Sequence, residues 1–266
     1  MPSMLRIEVG GRVLALREEE GVHPVDRVAR LALRKLGVRR GEDVLDLGCG
    51  TGIYGLAAAA LGARKVVLAD IDPRAARLAA ANARGNRIGT VEVLVGDFFE
   101  PVGKRRFDWI LASLPQTPGP LPLLLSKWGG PDGTRHLRRL LEEAPAHLKP
   151  GGRLFLLLHD LGDSARVRRI LARRFSARTI LKVRRPFSRG EYDGYLPRLF
   201  GYLEGLKKRG KCRFHGRDGR YWFWLRFIVA TLKGPRRHGG KPRAPSRPPS
   251  PPSGAPGRTA LRSSRS

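Results

Sequence analysis

The sequence predicts an α/β protein built on a doubly wound, mostly parallel sheet of seven strands. Three observations carry this. From residue 43 to residue 174, short apolar runs of strand length alternate with stretches of helical periodicity, the rhythm of strands joined by crossover helices that cover both faces of a sheet. A glycine-rich turn, Gly48 to Gly52, joins the first of those runs to the helix after it, and open parallel sheets bind ligands at such carboxyl ends. The chain has 266 residues, 41% of them hydrophobic, enough for one domain of ordinary size or two small ones.

Each element follows from local pattern. Leu5–Val9 and Arg12–Leu16 alternate about Gly10-Gly11, a hairpin signature. Val28, Leu31, Ala32 and Leu36 share one face of a helix over 24–36. Strands are expected at 43–47, 65–69, 91–95, 108–112 and 154–158. Helices are expected at 52–61, at 73–84 with Pro73 in its first turn, at 134–148 with Pro145 as a kink, and at 164–174. Lys149-Pro150-Gly151-Gly152 reads as a turn by composition. Two further strands, 178–183 and 221–231, flank a basic insertion of about 184–220. Within it Leu196, Leu199, Phe200, Leu203 and Leu206 mark a helix over 195–208. Residues 1–40 thus lead into a domain of 41–232, followed by a tail of 233–266.

The formal net charge is +29, from 52 Lys and Arg against 23 Asp and Glu. The segment 233–266 holds nine basic residues, eight prolines and no acid, with Leu261 as its one large aliphatic residue. It cannot bury enough apolar surface to offset its ordering entropy and is expected to be disordered. The tail does not account for the whole charge, because residues 166–226 carry nineteen Lys and Arg and four acids. A clustered positive field suits a polyanion such as RNA, although 41 of the basic residues are Arg, as a GC-rich genome would also produce. Two cysteines exclude a disulfide-rich scaffold, and the six histidines lack metal-ligand spacing. The first twenty residues show no signal-peptide pattern. The longest late apolar run, 221–232, falls short of the about 20 residues of a membrane span. These features describe a cytoplasmic protein without a membrane segment; they leave its oligomeric state open.

Val44-Leu45-Asp46-Leu47-Gly48-Cys49-Gly50-Thr51-Gly52 is the most informative stretch. Its spacing is Asp-x-Gly-x-Gly-x-Gly, and Ile53 stands where a dinucleotide fingerprint needs Gly or Ala. Asp70 follows at the end of the next strand, then Gly96-Asp97-Phe98 at the third and Ser113-Leu114-Pro115-Gln116 at the fourth. One strand-end acid commonly caps a loop; Asp46, Asp70 and Asp97 at three successive strand ends point to a ligand. The set resembles the class I S-adenosylmethionine-dependent methyltransferases, over about residues 20–175, and implies their Rossmann-like fold. The resemblance implies a cofactor site for S-adenosyl-L-methionine. Asp46, Gly48, Cys49, Gly50, Thr51 and Gly52 would face the methionine end. Asp70 would take the ribose hydroxyls, with Ile71 on the adenine. Asp97 would take the adenine amino group, with Phe98 and Ser113 alongside. Cys49 has no base partner in the sequence and reads as small loop filler, not as a nucleophile. His23, beside Pro24, reads as a surface residue or a pocket wall.

Gly129-Gly130-Pro131-Asp132-Gly133, Leu148 to Gly152, and Val22-His23-Pro24 with Asp26 resemble the release-factor glutamine N5-methyltransferases and the related small-methyltransferase domain. That group carries Asn-Pro-Pro-Tyr where this chain has Ser113-Leu114-Pro115-Gln116. Ser113 supplies one hydroxyl acceptor and Leu114 a carbonyl, while Gln116 offers no aromatic face. The resemblance therefore implies in-line methyl transfer, with Ser113, Leu114, Pro115 and Gln116 at the catalytic position. It implies a macromolecular acceptor: first a side-chain nitrogen of a protein of the translation apparatus, then an RNA nitrogen. In the insertion, Tyr192, Tyr195, Phe214 and Tyr221 read first as core packing, with stacking on bases as the alternative. A non-catalytic cofactor-binding module and a nicotinamide dehydrogenase are the readings from other classes.

Overall fold

The computed structural model describes residues 4–122 and 126–233. A hairpin of β1 (Met4–Val9) and β2 (Arg12–Arg17) precedes α1 (Arg27–Leu33). The alternating core follows: β3 (Asp43–Leu47), α2 (Ile53–Ala60), β4 (Lys65–Asp70), α3 (Pro73–Gly85), β5 (Val91–Val95), β6 (Phe107–Ala112), α4 (Arg135–His147), β7 (Leu148–His159) and α5 (Ser164–Arg174). The end of the domain comprises β8 (Phe175–Phe187), α6 (Arg189–Asp193), α7 (Leu199–Lys208), β9 (His215–Arg217) and β10 (Arg220–Leu232). The strand order is β5-β4-β3-β6-β7-β10-β8, and β9 pairs with β10. β3 to β7 are parallel; β10 runs antiparallel between β7 and β8.

Two apolar layers flank this sheet. Leu16, Tyr54, Leu56, Ala79 and Phe155 belong to one, built from the hairpin, α2 and α3. Leu45, Ile110, Leu140, Leu154 and Leu171 belong to the other, under α4 and α5. A third cluster joins α7 to the far ends of β8 and β10, with Phe187, Phe200, Leu203 and Phe223 inside.

The expected seven strands are all present, and a short eighth, β9, pairs with β10 across the Asp218-Gly219 turn. The expected turn at 149–152 lies inside β7, where the β6–β7 register shifts and Gly151 has a φ of 74°: the extra residues are absorbed as an irregularity of the strand. The helix expected over 24–36 is shorter, because the Asp26 carboxylate accepts from the Ala29 N–H at 2.7 Å and fixes its start. The helix expected over 195–208 begins only at Leu199, as α7, and the short α6 before it was not expected. Pro197 lacks an N–H, Arg198 turns at a φ of 64°, and Asp193 reaches forward to accept from the Phe200 N–H at 2.8 Å. The tail beyond Lys233, expected to be disordered, lies outside the described residues. No described helix is long and apolar enough to cross a membrane.

Candidate active site

A cleft of about 310 Å³ opens at the carboxyl ends of β3, β4 and β6. Its floor is the glycine turn, where Gly48, Gly50 and Gly52 all have positive φ, at 68°, 53° and 82°, conformations that favour glycine. The turn is tied to β4: the N–H groups of Gly48 and Cys49 donate to the Ala69 carbonyl at 2.8 and 3.1 Å. At Gly48 a side chain would also collide with the acceptor side of the cleft, since its Cβ would stand 2.8 Å from Leu114 Cδ2. Asn82 of α3 clamps the outer side. Its amide donates to the carbonyls of Thr51 and Arg17, and its oxygen accepts from the Arg17 N–H. The N-terminal hairpin is thereby fastened to the glycine turn.

The three strand-end acids have three different environments. Asp46 does not line the cleft. It is buried beneath the turn, accepts from the Gly55 N–H at 2.8 Å, and burial raises its pKa to about 8. Gly55 permits this arrangement, because a Cβ there would stand 2.1 Å from Leu68 Cδ2; α2 can approach the sheet closely only without one. Gly52 also lies beneath the cleft, packed against Ala79 and Leu68 as the N-cap of α2. Asp70 lines the cleft and accepts from the N–H groups of Gly50 at 2.9 Å and Asp72 at 3.0 Å. Desolvation outweighs those bonds and raises its pKa. Each carboxylate oxygen keeps a second acceptor direction. Asp97 lines the cleft and pairs with Arg139 of α4, whose guanidinium lies 4.2 Å from the centre of the Phe98 ring. Phe98 holds a φ of 50°, a strained conformation for a bulky residue.

Ile71, at the lip, is 50% exposed. An aliphatic side chain beside a carboxylate and an open glycine turn offers a flat apolar platform. Cys49 and Thr51 line the cleft too, but the Cys49 thiol is buried and its pKa is raised by desolvation, so it stays protonated and fills space.

Ser113, Leu114, Pro115 and Gln116 all line the other end. Ser113 lines the cleft together with Tyr54, a buried α2 residue whose phenol pKa is raised by desolvation. Gln116 is only 2% exposed. Its amide donates to the carbonyls of Leu114 at 3.2 Å and Leu157 at 2.9 Å, and its oxygen accepts from the His159 N–H at 2.9 Å. It holds the loop rather than facing the cleft with free polar atoms. The Gly129–Gly133 segment buttresses this loop: a Cβ at Gly129 would stand 2.5 Å from Gln116 Cα, and one at Gly133 would stand 2.6 Å from the Gln116 carbonyl oxygen.

Residues of the insertion and of neighbouring segments close this end of the cleft. Arg185 makes a two-pronged pair with Glu191, Lys127 lies over Tyr195, and His159 sits at the tip of β7. Desolvation, with Arg185 and His23 nearby, pushes the pKa of His159 down to about 3, so its ring is neutral. His23 is on the cleft wall. These residues come from segments far apart in sequence, and no local pattern marks them. Tyr192 and Phe214 are buried in the insertion's core, and Tyr195 and Tyr221 pack against it. This is the core packing expected of these four residues.

The pattern of the methyltransferase small domain matches residues 15–188, and the chain belongs to that family. It is an S-adenosylmethionine-dependent methyltransferase with a class I fold. Over 188 residues it is 32% identical to a Methanocaldococcus jannaschii protein described as "Putative protein N5-glutamine methyltransferase", covering 68% of this chain and 93% of that one. It is 42% identical to a ribosomal protein L11 methyltransferase of Pelotomaculum thermopropionicum, over 35% of this chain and 30% of that one. Among solved structures, a 16S rRNA methyltransferase of T. thermophilus in complex with AdoMet and guanosine superimposes with a TM-score of 0.51 at 20% identity, covering 87% of this chain and 50% of that one. The cleft fits the family's cofactor: Gly48 and Gly50 line it in positive-φ conformations that keep its floor free of side chains, Ile71 offers an exposed apolar face, and Asp70 and Asp97 stand on the wall.

Proposed function

We propose that this enzyme methylates a side-chain nitrogen of a protein of the translation apparatus. The observation that carries the reading is the acceptor loop. Residues 113–116 are held rigid by Gln116 and backed by the Gly129–Gly133 segment. The similarity to the M. jannaschii protein, along most of its length, supports the same class of acceptor.

When bound, S-adenosylmethionine supplies an electrophilic methyl group on a sulfonium. The chain's own residues position the two partners. In this reading, Gly48 and Gly50 present bare backbone to the cofactor. Asp70 accepts from the ribose hydroxyls, Ile71 and Phe98 cover the adenine, and Asp97, oriented by Arg139, accepts from its amino group. The Ser113 hydroxyl and the second acceptor direction of the Leu114 carbonyl hold the N–H bonds of the acceptor, with Pro115 shaping the loop. Gln116 positions that carbonyl and touches no reactant. The rate gain comes from holding the nitrogen in line with the methyl group and from fixed dipoles at the reacting centre.

The test is transfer of tritium from labelled S-adenosylmethionine into a cell lysate, divided between ribonuclease and protease. Label that survives ribonuclease and is lost to protease supports the proposal. Label lost to ribonuclease overturns it in favour of an RNA nitrogen, the reading that the basic segment 166–226 favours.

A further inference from the structure

The sheet end formed by β8, β9 and β10 has two faces, because successive side chains of a strand point to opposite sides. Phe223 and Leu225 enter the insertion's core, and Arg185, opposite Phe223, faces the cleft. Trp222 and Trp224 therefore point to the other face. They lie opposite Pro186 and Arg184 of β8, with His215 of β9 across from Trp222. Neither indole belongs to an apolar cluster of the core; both are half-buried, while Lys182, Arg184 and His215 are exposed.

The rings meet cations and each other. Lys182 Nζ is 3.9 Å from the centre of Trp224, and the Arg184 guanidinium is 5.7 Å from Trp222. The His215 ring stacks on Trp222 at 4.3 Å and 22°, and the two indoles meet edge to face at 5.3 Å. Asp160, which follows β7, is buried and paired with Arg226 and Arg168.

We propose that this face docks a single-stranded segment of RNA. Its bases stack on Trp222, Trp224 and His215, and its phosphates meet Lys182, Arg184 and the basic side chains around them. Aromatic rings bordered by cations suit a ligand that alternates flat bases with anionic linkers. A second copy of this chain would bring like charge to like charge. An acidic peptide would use the cations and leave the indoles unused. The face is on the opposite side of the sheet from the acceptor end of the cleft, so the inference holds whichever nitrogen is methylated.

The test measures fluorescence anisotropy of a labelled single-stranded RNA of about twelve nucleotides, within the range of single-strand site sizes, against the full chain at several salt concentrations. Lys182→Glu with Arg184→Glu is expected to weaken binding more than tenfold and to flatten the salt dependence by about 1.4, at roughly 0.7 per phosphate contact. The charge-matched pair Arg34→Glu with Arg84→Glu, on exposed positions of other elements, is expected to change affinity less than threefold. Trp224→Ala is expected to weaken binding about tenfold with the salt slope kept, as stacking carries no counterion. RNA is expected to quench the fluorescence of the parent protein, and less so that of Trp222→Phe, which reads stacking in a variant that conserves the ring. The proposal is overturned by equal weakening in both charge pairs, by unquenched tryptophan fluorescence at saturating RNA, or by polyglutamate binding as tightly as RNA. Methyl transfer enters none of these readouts, so failure here is distinct from failure of the proposed acceptor.

Discussion

Asp46 and Asp70 are successive strand-end acids with opposite surroundings. Asp46 is sealed under the glycine turn, with its pKa raised to about 8 by burial. The folded protein therefore holds this proton more tightly than the unfolded chain. The stabilising contribution is fully present below about pH 4 and is lost as pH rises towards 8. Asp46→Asn keeps an oxygen for the Gly55 N–H, so it is expected to remain folded and to melt at a more constant temperature than the parent between pH 5 and pH 8. Calorimetry across that window checks this, and an unchanged pH slope would show that Asp46 is not the group responsible. Asp70 instead receives the Gly50 and Asp72 N–H groups on the cleft wall. Hydrogen bonds to a charged group are worth about 1.5–3 kcal/mol, so Asp70→Ala is expected to weaken S-adenosylhomocysteine binding by roughly 10- to 100-fold. Titration calorimetry reads this directly.

At the scale of elements, the acceptor loop shows how a backbone path is held. The Thr117 N–H donates to the Lys127 carbonyl and the Thr117 carbonyl accepts from the Gly129 N–H, both at 2.9 Å, and Gln116 ties the loop to β7. Glycine at 129 leaves just enough room for Gln116. Gly129→Ala must displace the loop, and a misplacement near 1 Å can cost about 100-fold in rate. The expected outcome is a loss of methyl transfer of roughly that size, with S-adenosylhomocysteine affinity within about threefold of the parent; a matching loss of both would mean that the loop and the cofactor floor move together. The insertion is a second case. Its helical periodicity is legible over 195–208, but the break at Pro197 and the reach of Asp193 to Phe200 depend on a contact across a turn, which periodicity does not report.

For the whole molecule, the decisive question is which small molecule stabilises the folded chain. At a hundredfold excess over Kd, a ligand of the native state adds about 2.7 kcal/mol. For a domain of this size each kcal/mol raises Tm by roughly 2–4 °C. S-adenosylhomocysteine is expected to raise Tm by roughly 5–10 °C on that reckoning, and a nicotinamide dinucleotide to leave it unchanged. The reverse order would contradict the family assignment. The glycine spacing and Ile53 point the same way, since a dinucleotide loop needs a small residue where Ile53 is buried.

The alternation of strands and helices, the glycine turn and the order of Asp46, Asp70, Asp97 and Ser113 were legible in the chain because each is local: a period, a turn composition or a strand end. These were sufficient for the α/β class, the number of main strands and the methyltransferase family. The tertiary structure alone decided what depends on residues distant in sequence. It put Asp46 beneath the cleft and Asp70 on its wall, because α2 closes over β3 through Gly55. It turned Gln116 away from the reacting end onto Leu157 and His159. It buried Tyr192 and Phe214 while leaving Trp222 and Trp224 at the surface beside Lys182 and Arg184. Composition registers only that aromatic and basic residues share the segment; which face each one takes is fixed by the pairing of β10 with β8, and that register is a property of the folded sheet.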